Sequence, residues 1–185
     1  MNEIKIADRY AKALFDLARE RNMLENVYED VLVVREVCRG NRDFILFLKT
    51  PVIKETKKVA VINALFKDKI GNPMQTFLVT ITRNKRESLI PIIVKQFIEV
   101  YKSFKNIITA EVTTAATLTD ELRTQIISII QKATHAQIDL EQKIDESIIG
   151  GFILTFKDRQ YDASILRQIQ NLRQEFNINL YVKGY

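Results

Sequence analysis

Residues 87–115 read ESLIPIIVKQFIEVYKSFKNIITAEVTTA, and the hydrophobic period changes inside this stretch. Up to Phe104 the apolar residues recur at three- and four-residue spacing, the repeat of one helix face. From Ile107 to Ala115 the chain is rich in Ile, Val and Thr, which suit a pleated, half-buried strand. The change predicts two domains meeting near Lys105–Asn106: a helical one over 1–105 and a strand-containing one over 106–185. Pro91 lies early in a sixth helix, Glu87–Phe104, where its missing N–H is tolerated because the helix begins only a few residues before it.

Working back toward the N-terminus, the same periodicity predicts five more amphipathic helices: Ile4–Arg21, Met23–Arg39, Arg42–Lys49, Lys54–Phe66 and Met74–Arg83. Gly40-Asn41 ends the second and caps the third, and Pro51 enforces the next break. The turn Gly71-Asn72-Pro73 introduces the fifth helix, with Pro73 suited to its first position. Working forward, Thr119 with Asp120 and Glu121 behind it opens a helix over Leu122–Thr134, since acids favour the positive end of the helix dipole. Ala136–Ile144 alternates: Ile138, Leu140, Gln142 and Ile144 share one strand face and Asp139, Glu141 and Lys143 the other. Gly150-Gly151 opens the run Phe152–Phe156 and marks a bend or close approach of backbone. Asp162 reads as the N-cap of a terminal helix, Ser164–Phe176, lined by Ile165, Leu166, Ile169, Leu172 and Phe176. Ile178–Lys183 adds a short final strand. The expected fold class is mainly α, a six-helix bundle followed by a small α/β domain.

Composition agrees with a helix-rich globular chain. Of 185 residues 46% are hydrophobic and 28% charged, with only five glycines and three prolines, which excludes collagen-like, low-complexity and Gly/Pro-punctuated all-β folds. The start, Met1 to Arg9, alternates charged and apolar residues and shows no targeting segment. No apolar run approaches the roughly 20 residues of a spanning helix. Net charge is +5, but residues 1–105 hold 20 Lys+Arg against 13 Asp+Glu, +7, and the remainder 8 against 10, −2. The basic half suits an acidic partner; a nucleic-acid-binding helical protein is the alternative that the charge admits.

The search for chemistry returns absences. Neither the phosphate-binding loop nor the dinucleotide fingerprint occurs, so nucleotide binding through a familiar loop is not expected. His135 and Cys38 are single, too few for a zinc site or an internal disulfide. His135, near a helix end without a nucleophile in a recognisable turn, reads as a surface residue. Cys38 reads as a buried thiol at an apolar-periodic position, with Arg35, Arg39 and Arg42 as the only argument for reactivity. The pairs Asp139/Glu141 and Asp145/Glu146 read as solvated acids. No catalytic residue, metal or cofactor is expected.

The first helix carries more apolar surface than one core needs. Ile6, Tyr10, Ala13, Leu14 and Leu17 form one stripe and Ala7, Ala11, Phe15 and Ala18 a neighbouring one. One can pack in the bundle while the other, whose small alanines admit close approach, receives an amphipathic helix from a partner. Spacing alone favours both stripes being core. In the fifth helix Met74, Phe77, Leu78 and Ile81 make the core stripe and Thr76, Thr80 and Asn84 a small polar shoulder.

Several segments together resemble one family. Arg9-Tyr10-Ala11-Lys12-Ala13-Leu14-Phe15-Asp16-Leu17-Ala18 is similar to the opening of the delta subunit of F-type ATP synthases, the oligomycin-sensitivity-conferring protein of mitochondria. Phe47-Leu48-Lys49-Thr50-Pro51-Val52-Ile53 with Lys57-Lys58 resembles its "FL-x-x-P-x-I-x-x-x-x-K" segment, and Phe77-Leu78 with Asn84-Lys85-Arg86-Glu87-Ser88-Leu89 its "FL…N-x-R-x-x-L". Ala110-Glu111-Val112-Thr113-Thr114-Ala115 resembles the family strand, and Asp145 to Phe152 with Tyr161 to Ile165 its C-terminal signature. The tail Asn177–Tyr185 runs past the point where many relatives stop. The resemblance implies a non-catalytic stator subunit that ties the alpha/beta head to subunit b of the peripheral stalk and resists rotor torque. It implies a six-helix N-terminal domain receiving the N-terminal helix of an alpha subunit between helices one and five, on Tyr10, Ala13, Leu14, Leu17, Phe77, Thr80, Ile81 and Asn84. A smaller α/β domain would hold subunit b. The subunit would be a monomer within its complex, peripheral on the cytoplasmic face of a bacterial inner membrane and without insertion of its own.

Overall fold

The computed structural model describes residues 2–156 and 159–177; the strand expected at Ile178–Lys183 lies outside them. The chain separates into two units, Met1–Phe104 and Lys105–Tyr185.

The first unit is all helical: α1 (Asn2–Glu20), α2 (Leu24–Gly40), α3 (Arg42–Lys49), α4 (Glu55–Phe66), α5 (Asn72–Arg83) and α6 (Ile90–Phe104). The sixth helix starts later than expected, because Glu87–Leu89 forms a 3₁₀ turn ahead of α6. Pro91 therefore sits in the first turn of α6, where no intrahelical N–H bond is lost. Asn41 caps α3 as its position suggested, its side-chain oxygen accepting from the Phe44 N–H at 3.0 Å. Leu24, Val27, Val31, Val34 and Cys38 recur along the buried face of α2. Each such large aliphatic contributes roughly 1.5–3 kcal/mol on full burial.

The alanine-bearing stripe of α1 is core. Ala7, Ala11, Phe15 and Ala18 are buried against α6, the principal neighbour of α1. Phe15 meets Phe97 and Phe104 with ring centroids 6.2 and 5.3 Å apart. The expectation that this stripe receives a partner is thus corrected: its small side chains admit α6 of the same chain. In α5 the buried residues are Met74, Leu78, Ile81 and Thr82. Phe77, expected among them, is only half-buried because it stands at the margin of the core stripe.

Polar contacts tie distant parts of the bundle. Asp30 on α2 accepts from the Gly71 N–H at 3.0 Å; burial raises its carboxyl above the ordinary value, against the opposing effect of that hydrogen bond. Lys58 on α4 is buried, donates to the Leu48 carbonyl at 3.1 Å and pairs with Glu87 at 2.5 Å.

The second unit is a four-stranded sheet of order β2-β1-β3-β4, with β1 (Ile107–Thr114), β2 (Gln137–Ile144), β3 (Phe152–Phe156) and β4 (Arg159–Asp162). Two helices belong to it, α7 (Asp120–Thr134) and α8 (Ile165–Asn177). β1 and β2 are parallel and joined through α7; β3 runs antiparallel to β1 and β4 antiparallel to β3. Strand β4 was not expected from the sequence: at four residues it is too short to display a period. Ala110, Val112, Leu140 and Leu154 from the sheet and Ile126 and Ile130 from α7 form its core. Ile144, placed by alternation on the core face of β2, is 55% exposed at the strand's end. His135 is exposed in a left-handed conformation that closes α7.

The cap of α8 is Ser164 rather than Asp162, its hydroxyl oxygen accepting from the Arg167 N–H at 3.2 Å. Asp162 instead makes the preceding turn by accepting from the Ser164 N–H at 2.9 Å. Hydrogen bonds from the Ser164 hydroxyl and N–H hold its carboxyl below the usual range. Asp and Ser two residues apart both have capping side chains, and only the backbone path decides which is N-cap.

Candidate partner-binding groove

In the first unit α1 packs chiefly on α6, and α5 packs on α4 and α2. Between α1 and α5 an open trough of about 360 Å³ remains, walled by Ala13, Leu14, Leu17 and Arg21 on one side and Asn72, Pro73, Thr76, Phe77 and Thr80 on the other. Ala13 is exposed, and Leu17 is 39% exposed, large for a leucine one turn from the buried Leu14. The wall is small or apolar except at Arg21 and Asn72, and Thr80 turns its hydroxyl to the Thr76 carbonyl at 2.8 Å, within its own helix. That self-satisfaction leaves the Thr80 methyl group free to meet an apolar occupant.

An adjoining cavity of about 450 Å³, lined by Ile6, Arg9, Tyr10, Ala13 and Arg86, shares Ala13 with the first. Tyr10 stands here, half-buried. Of the residues that the resemblance assigned to the partner, Tyr10, Ala13, Leu14, Leu17, Phe77 and Thr80 line these two cavities, which meet at Ala13. Ile81 is in the core, 1% exposed, and Asn84 is the exposed C-cap of α5, lining neither cavity. Arg9, Arg21, Arg86, Asn72 and Pro73 were not singled out. Periodicity cannot find them, because each lies at the end or edge of an apolar stripe.

The second unit has an apolar groove of its own, about 460 Å³, between α7 (Ile126, Ile129, Ile130) and the β3–β4 half of the sheet (Phe152, Leu154, Phe156, Tyr161). Ile129 and Tyr161 are 63% and 61% exposed, so this is surface rather than core. Ile165, Leu166, Ile169 and Leu172 leave a partly exposed apolar stripe on α8.

Neither trough offers catalytic chemistry. Among the described residues no group of three or more His, Cys, Asp or Glu side chains is placed to hold a metal ion. Burial pushes the Cys38 thiol up to about 11, so it stays protonated at neutral pH and is no nucleophile. No helix of the described residues is long and apolar enough to cross a membrane.

The description "ATP synthase delta (OSCP) subunit" belongs to the family profile that matches residues 6–176. The ATP synthase subunit delta of Christiangramia forsetii is 35% identical over 182 residues, 98% of this chain and 98% of that protein. That of Cytophaga hutchinsonii is 32% identical, covering 95% and 96%. A chain in the cryo-EM structure of the Toxoplasma gondii mitochondrial ATP synthase hexamer shares the fold, with a TM-score of 0.71, 23% identity and coverage of 92% and 96%. Nothing in these likenesses supports the nucleic-acid-binding alternative. With a family profile over residues 6–176 and relatives matching almost end to end, the chain belongs to the ATP synthase delta (OSCP) subunit family and is a structural, non-catalytic stator component of the synthase.

Proposed function

We propose that the α1/α5 trough receives the N-terminal helix of an alpha subunit while residues 106–185 hold subunit b. The chain would thereby tie the catalytic head to the peripheral stalk on the cytoplasmic face of a bacterial inner membrane. The observation that carries this reading is the trough itself. Two helices that pack on other neighbours leave between them a channel walled by Ala13, Leu14, Leu17 and Phe77, and small side chains at Ala13, Thr76 and Thr80 allow an incoming backbone to come close. An amphipathic helix with anchors at i, i+3/i+4 and i+7 matches such a channel. For the second unit, support comes from the groove beside α7 and its exposed Ile129 and Tyr161. A stator needs these two attachments and no turnover: torque from the rotor is resisted only if the head and the stalk are held through one body.

Ala13→Asp tests the trough. The side chain is exposed and outside the core, so the variant keeps its helical circular dichroism, while a carboxylate at residue 13 is covered by the apolar face of the incoming helix, at a desolvation penalty of about 1–3 kcal/mol, and occupies Arg9 and Arg86, which line the same cavity. Binding of a peptide copying the alpha N-terminal helix, measured by fluorescence anisotropy, is expected to weaken beyond detection at micromolar protein. Undiminished affinity of a folded variant would remove the trough from the alpha interface.

A further inference from the structure

We propose that Arg9 and Arg86 form a carboxylate-binding pair at one end of the α1/α5 trough, taking an acidic side chain of the helix that docks there; this rests on the reading of the trough as a helix-binding site. The two arginines line one cavity with Ile6, Tyr10 and Ala13. The charged residues along the two joined cavities are Arg9 and Arg86 at one end and Arg21 at the other, with no acidic side chain among the lining residues. None of the three arginines forms an ion pair with another described residue. The neighbouring Lys12, in contrast, is paired with Asp8 at 2.9 Å along the same helix. Positive charge gathered in a channel and left without an ion pair among the described residues is complementary to an acidic ligand.

The placement of Arg86 is built into the backbone. Asn84 caps α5, Lys85 takes the left-handed conformation at φ 57°, and the Arg86 N–H returns to the Ile81 carbonyl at 3.0 Å while the Lys85 N–H returns to Thr82 at 3.0 Å. This double return is the helix-ending Schellman motif, and it turns the chain sharply enough to bring residue 86 beside residues 6–13 of α1. A guanidinium presents a planar fork that matches a carboxylate with two parallel hydrogen bonds, and apolar neighbours such as Ile6 and Tyr10 strengthen the contact by excluding water. Arg9 and Arg21 are separated by twelve residues of helix, about 18 Å. The expected occupant is therefore a helix of about three turns, apolar over Ala13–Leu17, with an Asp or Glu over Arg9/Arg86.

The test uses the full chain and two synthetic peptides, the alpha N-terminal helix and the same peptide with its Asp and Glu changed to Asn and Gln. Arg9→Gln/Arg86→Gln is expected to bind the acidic peptide about tenfold more weakly and with a flatter salt dependence. The neutral peptide should bind both proteins alike, more weakly than the acidic peptide binds the natural chain. Equal affinity of both proteins for the acidic peptide, with an unchanged salt slope, would overturn the arginine pair and leave the trough assignment standing. Absence of any binding to the natural chain would overturn the trough assignment and the pair with it. Both arginines are exposed, so the unfolding midpoint should not move.

Discussion

Lys58 is the residue whose environment is hardest to read from spacing. Its side chain is 2% exposed, while Glu87 keeps 14%, and the second carboxylate oxygen of Glu87 has no hydrogen-bond partner. A charge removed from water is stable only with its partner in place, so deleting one member costs far more than replacing both. Lys58→Met is expected to destabilise the chain by roughly 3–5 kcal/mol because it abandons the Glu87 carboxylate, whereas Lys58→Met/Glu87→Leu recovers most of the loss. A urea-unfolding double-mutant cycle checks this; a Lys58→Met cost below about 1 kcal/mol would show that the pair does not hold α4 to the 87–89 turn. The contact joins the lysine that ends one of the family-like segments to a glutamate within another, 29 positions on.

At the scale of elements, the approach to β3 depends on two glycines with different constraints. A Cβ on Gly151 would stand 2.4 Å from the Ala163 carbonyl oxygen, and its φ of +80° is a conformation that side chains rarely adopt. A Cβ on Gly150 would stand 2.7 Å from the Cδ1 of Ile165, the far end of a side chain that can rotate away. Gly151→Ala is therefore expected to cost at least about 2 kcal/mol, from left-handed strain together with a backbone clash, and Gly150→Ala about 1 kcal/mol or less. Hydrogen exchange at the Ala163 and Ile165 amides, which bond to Phe152 and Gly150 at 2.9 and 3.0 Å, reads the difference locally. Equal protection in both variants would contradict it.

At the scale of the whole molecule, each unit owns its core. The helices of residues 1–104 bury their apolar stripes on one another, and the sheet with α7 buries its own cluster. A fragment ending at Lys105 is expected to remain helical and to keep the affinity of the full chain for the alpha peptide, since the trough lies wholly within it. It is expected to lose subunit b. Circular dichroism and peptide anisotropy check the first two, and co-purification with b the third. An unfolded fragment, or one that retains b, would separate the proposed attachments differently.

The sequence by itself determined the family and most of the elements. Helical spacing up to Phe104, β-branched residues from Ile107, alternation around Leu140 and the punctuation at Asn41, Pro51 and Gly71 are local, and local backbone preference with one-sided burial is enough to write them. Spacing also showed that α1 has two apolar stripes. Which stripe is core was not legible, because periodicity records that a position meets an apolar surface and not whose surface it is. Only packing settled it: α6 takes the Ala7–Ala18 stripe, and Ala13 and Leu17 are left on an open channel. Ile81 is in the core, as its spacing on α5 indicated and against the partner role that the resemblance implied, whereas Arg86 joins the trough through a turn whose left-handed residue is a lysine that no glycine signal announced.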